Sequence, residues 1–299
     1  HFFLPRMREA AARQLAALGT RLEAVDGCGL LPLAAGERAW PSAAHFRRQV
    51  HRVLPLHLDD VPVAEPLAHA VALPRPAAAV TTWLDAVCAR WPMVAPALLD
   101  GDSAEGARAL AALPIDHGVP VVAGRRGGAR AASALMTRFL DHQLDAYRAR
   151  RNAPSDTSAS GLSPYLHWGM LGAHELFAAV AAREAWTPAR LAPRPTGSRE
   201  GWWGMSPDAE AFLDELVTWR ELAHGTAHFV PECDHYRTLP EWARATLAAH
   251  AGDRRAHVYD RDALEAGDTH DPLWNAAQGE LRAEGRIHNY LRMLWGKKI

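Results

Sequence analysis

Apolar positions along this chain recur mostly at helical spacing, and the clearest run is the last, residues 268–299, DTHDPLWNAAQGELRAEGRIHNYLRMLWGKKI. Leu273, Trp274, Ala277 and Leu281 fall three or four apart, which lays them along one side of a helix. Asp271 before Pro272 supplies its start: a carboxylate oxygen caps free amides, and proline fits the first turn, where no amide bond is lost. Gly285 supplies a left-handed stop before a second helix. Trp274 and Trp295 stand at nearly equal distances from Gly285 in sequence. An antiparallel pair at the usual spacing of about 8–10 Å therefore makes the two indoles neighbours.

Upstream, Ser206-Pro207 repeats the start signal, with Asp208 and Glu210 in the first turn. Leu213, Leu216, Val217 and Ala223 carry the apolar side, while Glu215 and Trp219, one turn apart, share another. Leu135, Phe139 and Leu144 keep the same period, so a helical domain is assigned to residues 131–299. Residues 77–130 alternate helical runs with Pro and Gly breaks and read as an interdomain linker. The beginning differs: HFFLPRMREAAARQLAALGTRLEAVDG predicts the end of a strand, a helix, then a strand over residues 22–25. Next, SAAHFRRQVHRVLPLHL predicts a short amphipathic helix. Its Arg47, Arg48 and Arg52 read as a solvated face, with a DNA-contacting patch as the alternative.

With 48% hydrophobic residues the chain can bury a substantial core, and a net charge of −1 gives no global basic field. Local arginines can still contact phosphates, and nearly all the positive charge is arginine, the lysines being Lys297 and Lys298. Cys28, Cys88 and Cys233 are widely separated, as expected of reduced thiols in a cytoplasmic protein rather than of a disulfide framework or zinc site. No signal peptide or apolar run of membrane length is present in the sequence. Eleven tryptophans favour an aromatic-lined pocket.

Ser163-Pro164 marks a helix start whose amides suit an anion. Residues 186–205 form a long loop in which Arg190, Arg194 and Arg199 interleave with Trp202 and Trp203, either tracking a nucleic-acid strand or packing as a lid. Glu221, His224 and His228 have metal-compatible spacing, but no second ligand set accompanies them, and no metal is assigned. No segment combines a nucleophile, a base and an orienting acid, so hydrolysis is not supported.

GLSPYLHWG, THDPLWNAAQ and HNYLRMLWGKKI, in that order, resemble the photolyase and cryptochrome superfamily, and the class II cyclobutane-dimer photolyases in particular, from about Asp141 onward. The resemblance implies a mainly α, multi-helical FAD-binding domain, preceded by the remnant of an α/β, Rossmann-like antenna domain in residues 1–76. It implies a flavoprotein lyase that repairs DNA: a pyrimidine dimer is flipped into a pocket and split by an electron from light-excited reduced FAD. Ser160, Gly161, Leu162 and Ser163 match the flavin phosphate loop, although relatives often carry a larger polar residue at the place of Gly161. Tyr147 matches the flavin wall, and Arg220, His288, Asn289 and Arg292 match positions beside the cofactor. Glu215 matches a glutamate that bonds the dimer, Trp219 and Met293 match residues that pack on it, and Trp274 and Trp295 match two electron-transfer tryptophans. Relatives continue beyond the position of Ile299, so a piece lacking most of the antenna domain and the C-terminal end is expected, with no antenna pigment assigned. A monomer in the cytoplasm, nucleoid-associated if prokaryotic, is the expected state. A cryptochrome-like photoreceptor without repair activity and a flavin-free interaction module are the alternatives.

Overall fold

The computed structural model describes residues 5–19, 21–68, 77–91, 94, 96–99, 103–119, 121–122, 124–155 and 159–299. Its helices follow in order: α1 (Pro5–Ala17), α2 (Ala43–Val53), α3 (Ala78–Arg90), α4 (Ala104–Ala111), α5 (Ala129–His142), α6 (Tyr147–Arg150), α7 (Ser163–His167) and α8 (Ala173–Arg183). Then come α9 (Pro207–Leu213), α10 (Arg220–Phe229), α11 (Glu241–Ala249), α12 (Arg261–Ala266), α13 (Pro272–Glu284) and α14 (Asn289–Lys298). A π-helical turn, Asp214–Trp219, joins α9 to α10. The chain divides into two units, one of His1–Pro62, Gly124–Gly279 and Ile287–Ile299, the other of Val63–Ala123 with Glu280–Arg286.

The core of the first unit is built where the helical period places its large apolar residues. Phe139, Leu144, Leu162, Leu176, Leu213 and Val217 are each no more than 1% exposed. Phe139, Tyr147 and Phe212 interlock, with ring centroids 4.8–5.7 Å apart and edge-to-face or tilted geometry. A second aromatic group gathers Phe177, Trp186, Trp202 and Trp203. In the second unit α3 has no buried residue, and its Val80, Trp83 and Leu84 are exposed.

The α/β remnant expected at the start must be corrected: no strand occurs anywhere among the described residues. Residues 22–25 are irregular, with Leu22 52% and Val25 89% exposed. A lone extended segment has no neighbour to take its backbone hydrogen bonds and no face to bury, so it gains nothing by being a strand. The end of a strand expected before α1 lies outside the described residues. Arg47 is also corrected. Ser42 caps α2, and Arg48 and Arg52 are exposed, but Arg47 is buried against Asp214.

Candidate functional site

The helix that runs from Pro207 to Phe229 supplies Glu215, Trp219 and Arg220 among the candidate side chains. Ser206 starts it, its Oγ accepting from Ala209 N at 3.3 Å, and is itself held by Glu184, which accepts from Ser206 N and Oγ at 2.8 Å each. Glu210 turns inward and accepts from Gly201 N and from Met205 N, fastening the end of the 186–205 loop. That loop packs as a lid over the core: Trp202 and Trp203 are 3% and 6% exposed, and Trp186 Nε1 donates to Trp203 O at 2.6 Å. Buried indoles offer no face to a nucleic-acid strand.

After Leu213 the helix widens into its π turn, which bears Glu215 and Trp219. Arg151 donates from Nη1 to Glu215 Oε1, and its guanidinium lies 5.6 Å from the centre of the Tyr147 ring. Burial pushes the Tyr147 hydroxyl pKa up, and the neighbouring Glu215 carboxylate adds to the effect. Trp219 is 44% exposed. Arg220 bends away and donates to the carbonyl of Cys28; burial lowers its pKa. Glu221 is fully enclosed and accepts from Leu30 N at 2.7 Å and Leu31 N at 3.1 Å. Burial lifts its pKa to about 7 against the pull of those two amides. Its oxygens thus serve the backbone, and His228 on the same helix is exposed. Among the described residues no group of three or more His, Cys, Asp or Glu is disposed to hold a metal.

Ser160 Oγ accepts from Leu162 N at 3.4 Å, and Gly161 has φ +67°, a turn that favours glycine. Ser163 is the first residue of a five-residue helix, not its cap: Leu162 takes the cap position and no side chain caps it. Ser163 is exposed, whereas Leu162 is buried.

The closing hairpin forms as its spacing requires. Asp271 Oδ1 accepts from Leu273 N and Trp274 N at 3.0 and 3.1 Å, Lys298 donates to its other oxygen, and Gly285 turns the chain at φ +64°. The indoles of Trp274 and Trp295 stack with centroids 5.4 Å apart and planes 8° from parallel, and Trp274 Nε1 donates to Trp295 O at 3.3 Å. Asn289 Oδ1 accepts from Arg292 at 2.6 Å, and Met293 is 47% exposed. His288 is buried, and its Nδ1 accepts from Tyr290 N at 3.2 Å. In the neutral ring the proton is therefore on Nε2. That nitrogen and Trp295 Nε1 are buried donors without a partner among the described residues.

The structure thus joins Glu215 with Tyr147 through Arg151, Trp274 with Trp295, and Asn289 with Arg292. Ser160, Arg220 and Arg292 make their hydrogen bonds in three separate places, to Leu162, Cys28 and Asn289. Arg151 was missed in the sequence, although its place four residues after Tyr147 is a helical contact distance. The Arg47–Asp214 pair gives no local signal at all.

No family model matches the chain. Curated relatives do. It is 34% identical over 282 residues to a deoxyribodipyrimidine photo-lyase of Arabidopsis thaliana, covering 92% of this chain and 48% of that protein. Against the rice (Oryza sativa) deoxyribodipyrimidine photo-lyase it is 41% identical over 162 residues, 54% of this chain and 28% of that protein. Against that of Methanothermobacter thermautotrophicus it is 37% identical over 174 residues, 58% of this chain and 34% of that protein. Over the matched residues the chain is similar in sequence to these deoxyribodipyrimidine photo-lyases. It spans about half the length of the Arabidopsis relative and less of the other two.

Proposed function

We propose that the chain carries the flavin-binding and lesion-contacting region of a class II-type DNA photolyase, acting on pyrimidine dimers flipped out of the duplex. The observation that carries this reading is the parallel stack of Trp274 and Trp295 inside a hairpin that also bears His288, Asn289 and Arg292. Unsatisfied buried donors are costly, and those of His288 and Trp295 suit a group rich in acceptors such as FAD, whereas Ser160, Arg220 and Arg292 are bonded within the protein. Ser160, Gly161, Leu162, Ser163, Tyr147, Arg220, His288, Asn289 and Arg292 are the residues assigned to hold it. When bound, FAD supplies the photoexcited electron donor that side chains lack.

The chain's own part is binding and positioning. Flipping a base out costs about a few kcal/mol, and less at an already damaged site than at an intact pair. The Glu215 carboxylate, oriented by Arg151, accepts a hydrogen bond from a ring N–H of the dimer, and the exposed surfaces of Trp219 and Met293 pack against it. Trp274 and Trp295 form the inner route by which the protein passes electrons.

The test is light-dependent loss of thymine dimers from an irradiated oligonucleotide by the FAD-reconstituted chain. Repair is expected, with Glu215→Gln reducing it about tenfold, the size of one charge-assisted hydrogen bond. Flavin retention without any loss of dimers in light contradicts the reading.

A further inference from the structure

A π turn within an α-helix is rare and costs backbone geometry, so something must hold it. The turn at Asp214–Trp219 is pinned at both ends by one distant segment. At its start, Asp214 is buried and takes a two-pronged contact from Arg47 on α2, Nε to Oδ1 at 2.6 Å and Nη2 to Oδ2 at 3.3 Å. The side chains of this pair are 7% and 8% exposed. Just beyond its end, Glu221 is held by the amides of Leu30 and Leu31, and Arg220 by the carbonyl of Cys28. Gly29 fits closely enough that a Cβ there would lie 2.5 Å from Glu221 Cδ.

Buried carboxylates are stable only while paired, so these contacts are demanding. Each residue of a π turn advances by less rotation than the α-helical step. A return to α geometry between Asp214 and Glu221 would swing one against the other and break an anchor. The rotation of the residues between them is thereby set.

We infer that residues 28–53 act as a clamp, with Arg47 and Gly29 as positioning residues that fix the register of the π turn and hence the placement of Glu215 and Trp219. Its consequence for substrate rests on the reading of those two residues as lesion contacts. The clamp itself does not.

The test labels the full chain with 5-fluorotryptophan, assigns the Trp219 resonance through Trp219→Phe, and follows it by fluorine NMR without flavin or DNA. Two variants disturb the clamp at opposite ends. Arg47→Met with Asp214→Leu removes both charges together, so no unpaired buried ion is left to unfold the protein. Gly29→Ala pushes on Glu221. In both, the Trp219 resonance is expected to shift or split while that of Trp186 keeps its position, and Arg47→Lys alone is expected to shift it less than the double variant. A lowered melting temperature with an unmoved Trp219 resonance in both variants overturns the proposal and leaves the contacts a structural role only. Affinity for a thymine-dimer oligonucleotide, measured on the same variants, separates the two ideas. A moved resonance with unchanged affinity leaves the clamp standing and counts against the lesion-contact reading.

Discussion

His51 lies flat on the Trp202 indole, centroids 4.1 Å apart, with Nδ1 accepting from Gly197 N at 3.2 Å. Burial first, then the nearby Arg47 cation, lowers its pKa to about 4, and burial with Arg220 lowers that of His224 to about 4 as well. Both rings bind a proton less readily folded than unfolded. The stability they contribute is therefore complete above pH 6.5 and is lost as pH falls from 6.5 through 4. Glu221 has the opposite sign: its pKa of about 7 lies above the unfolded value, so its contribution is complete below about 4.5 and is lost as pH rises through 7. Thermal melts between pH 4 and 6.5 should show a fall toward the acid side that His51→Gln makes shallower. An unchanged slope in the variant would remove His51 from this account. Arg151 makes a second prediction at this scale. Arg151→Met leaves Glu215 without its cation, and dimer affinity is expected to drop about three- to tenfold, an effect of the order of 1 kcal/mol in free energy. Titration of the dimer oligonucleotide with and without the substitution measures it.

Single elements show what can be learned from local pattern and what cannot. The hairpin was legible because each of its parts is local: Asp271-Pro272 opens α13, Gly285 ends it, and equal spacing brings Trp274 to Trp295. Glycine is also favoured at 285 in two ways, by φ +64° and by a Cβ that would come within 2.7 Å of Val122 Cγ2. Gly285→Ala is expected to destabilise the protein by about 1–2 kcal/mol, read as a lower denaturation midpoint. The π turn was not legible. Its residues have ordinary helical composition, and its bonding depends on Arg47, 167 positions away in sequence from Asp214. The strand predicted over residues 22–25 failed for a related reason, since an apolar pattern cannot report whether a neighbouring strand exists. Ser163-Pro164 marked a helix correctly, yet the serine fell one place inside it, within the usual uncertainty of helix ends.

At the scale of the whole molecule, contacts between distant segments decide what the candidate site looks like. Arg47 reads in sequence as part of a solvated face, but α2 packs against the π turn and makes it a buried partner. Trp202 and Trp203 read equally well as nucleic-acid contacts or as a lid, and the core claims them. Among the described residues no helix is long and apolar enough to cross a membrane. The central claim of the proposed function is that the hairpin, with its stacked indoles, conducts electrons to a bound flavin. The most direct measurement is the visible spectrum of the FAD-reconstituted full chain before and after blue light, compared with Trp274→Phe and Trp295→Phe. Flavin absorption is expected to bleach to the reduced form in the parent, and at least about tenfold more slowly in either variant. Equal bleaching rates in all three proteins, or no flavin retained by the parent, would contradict it.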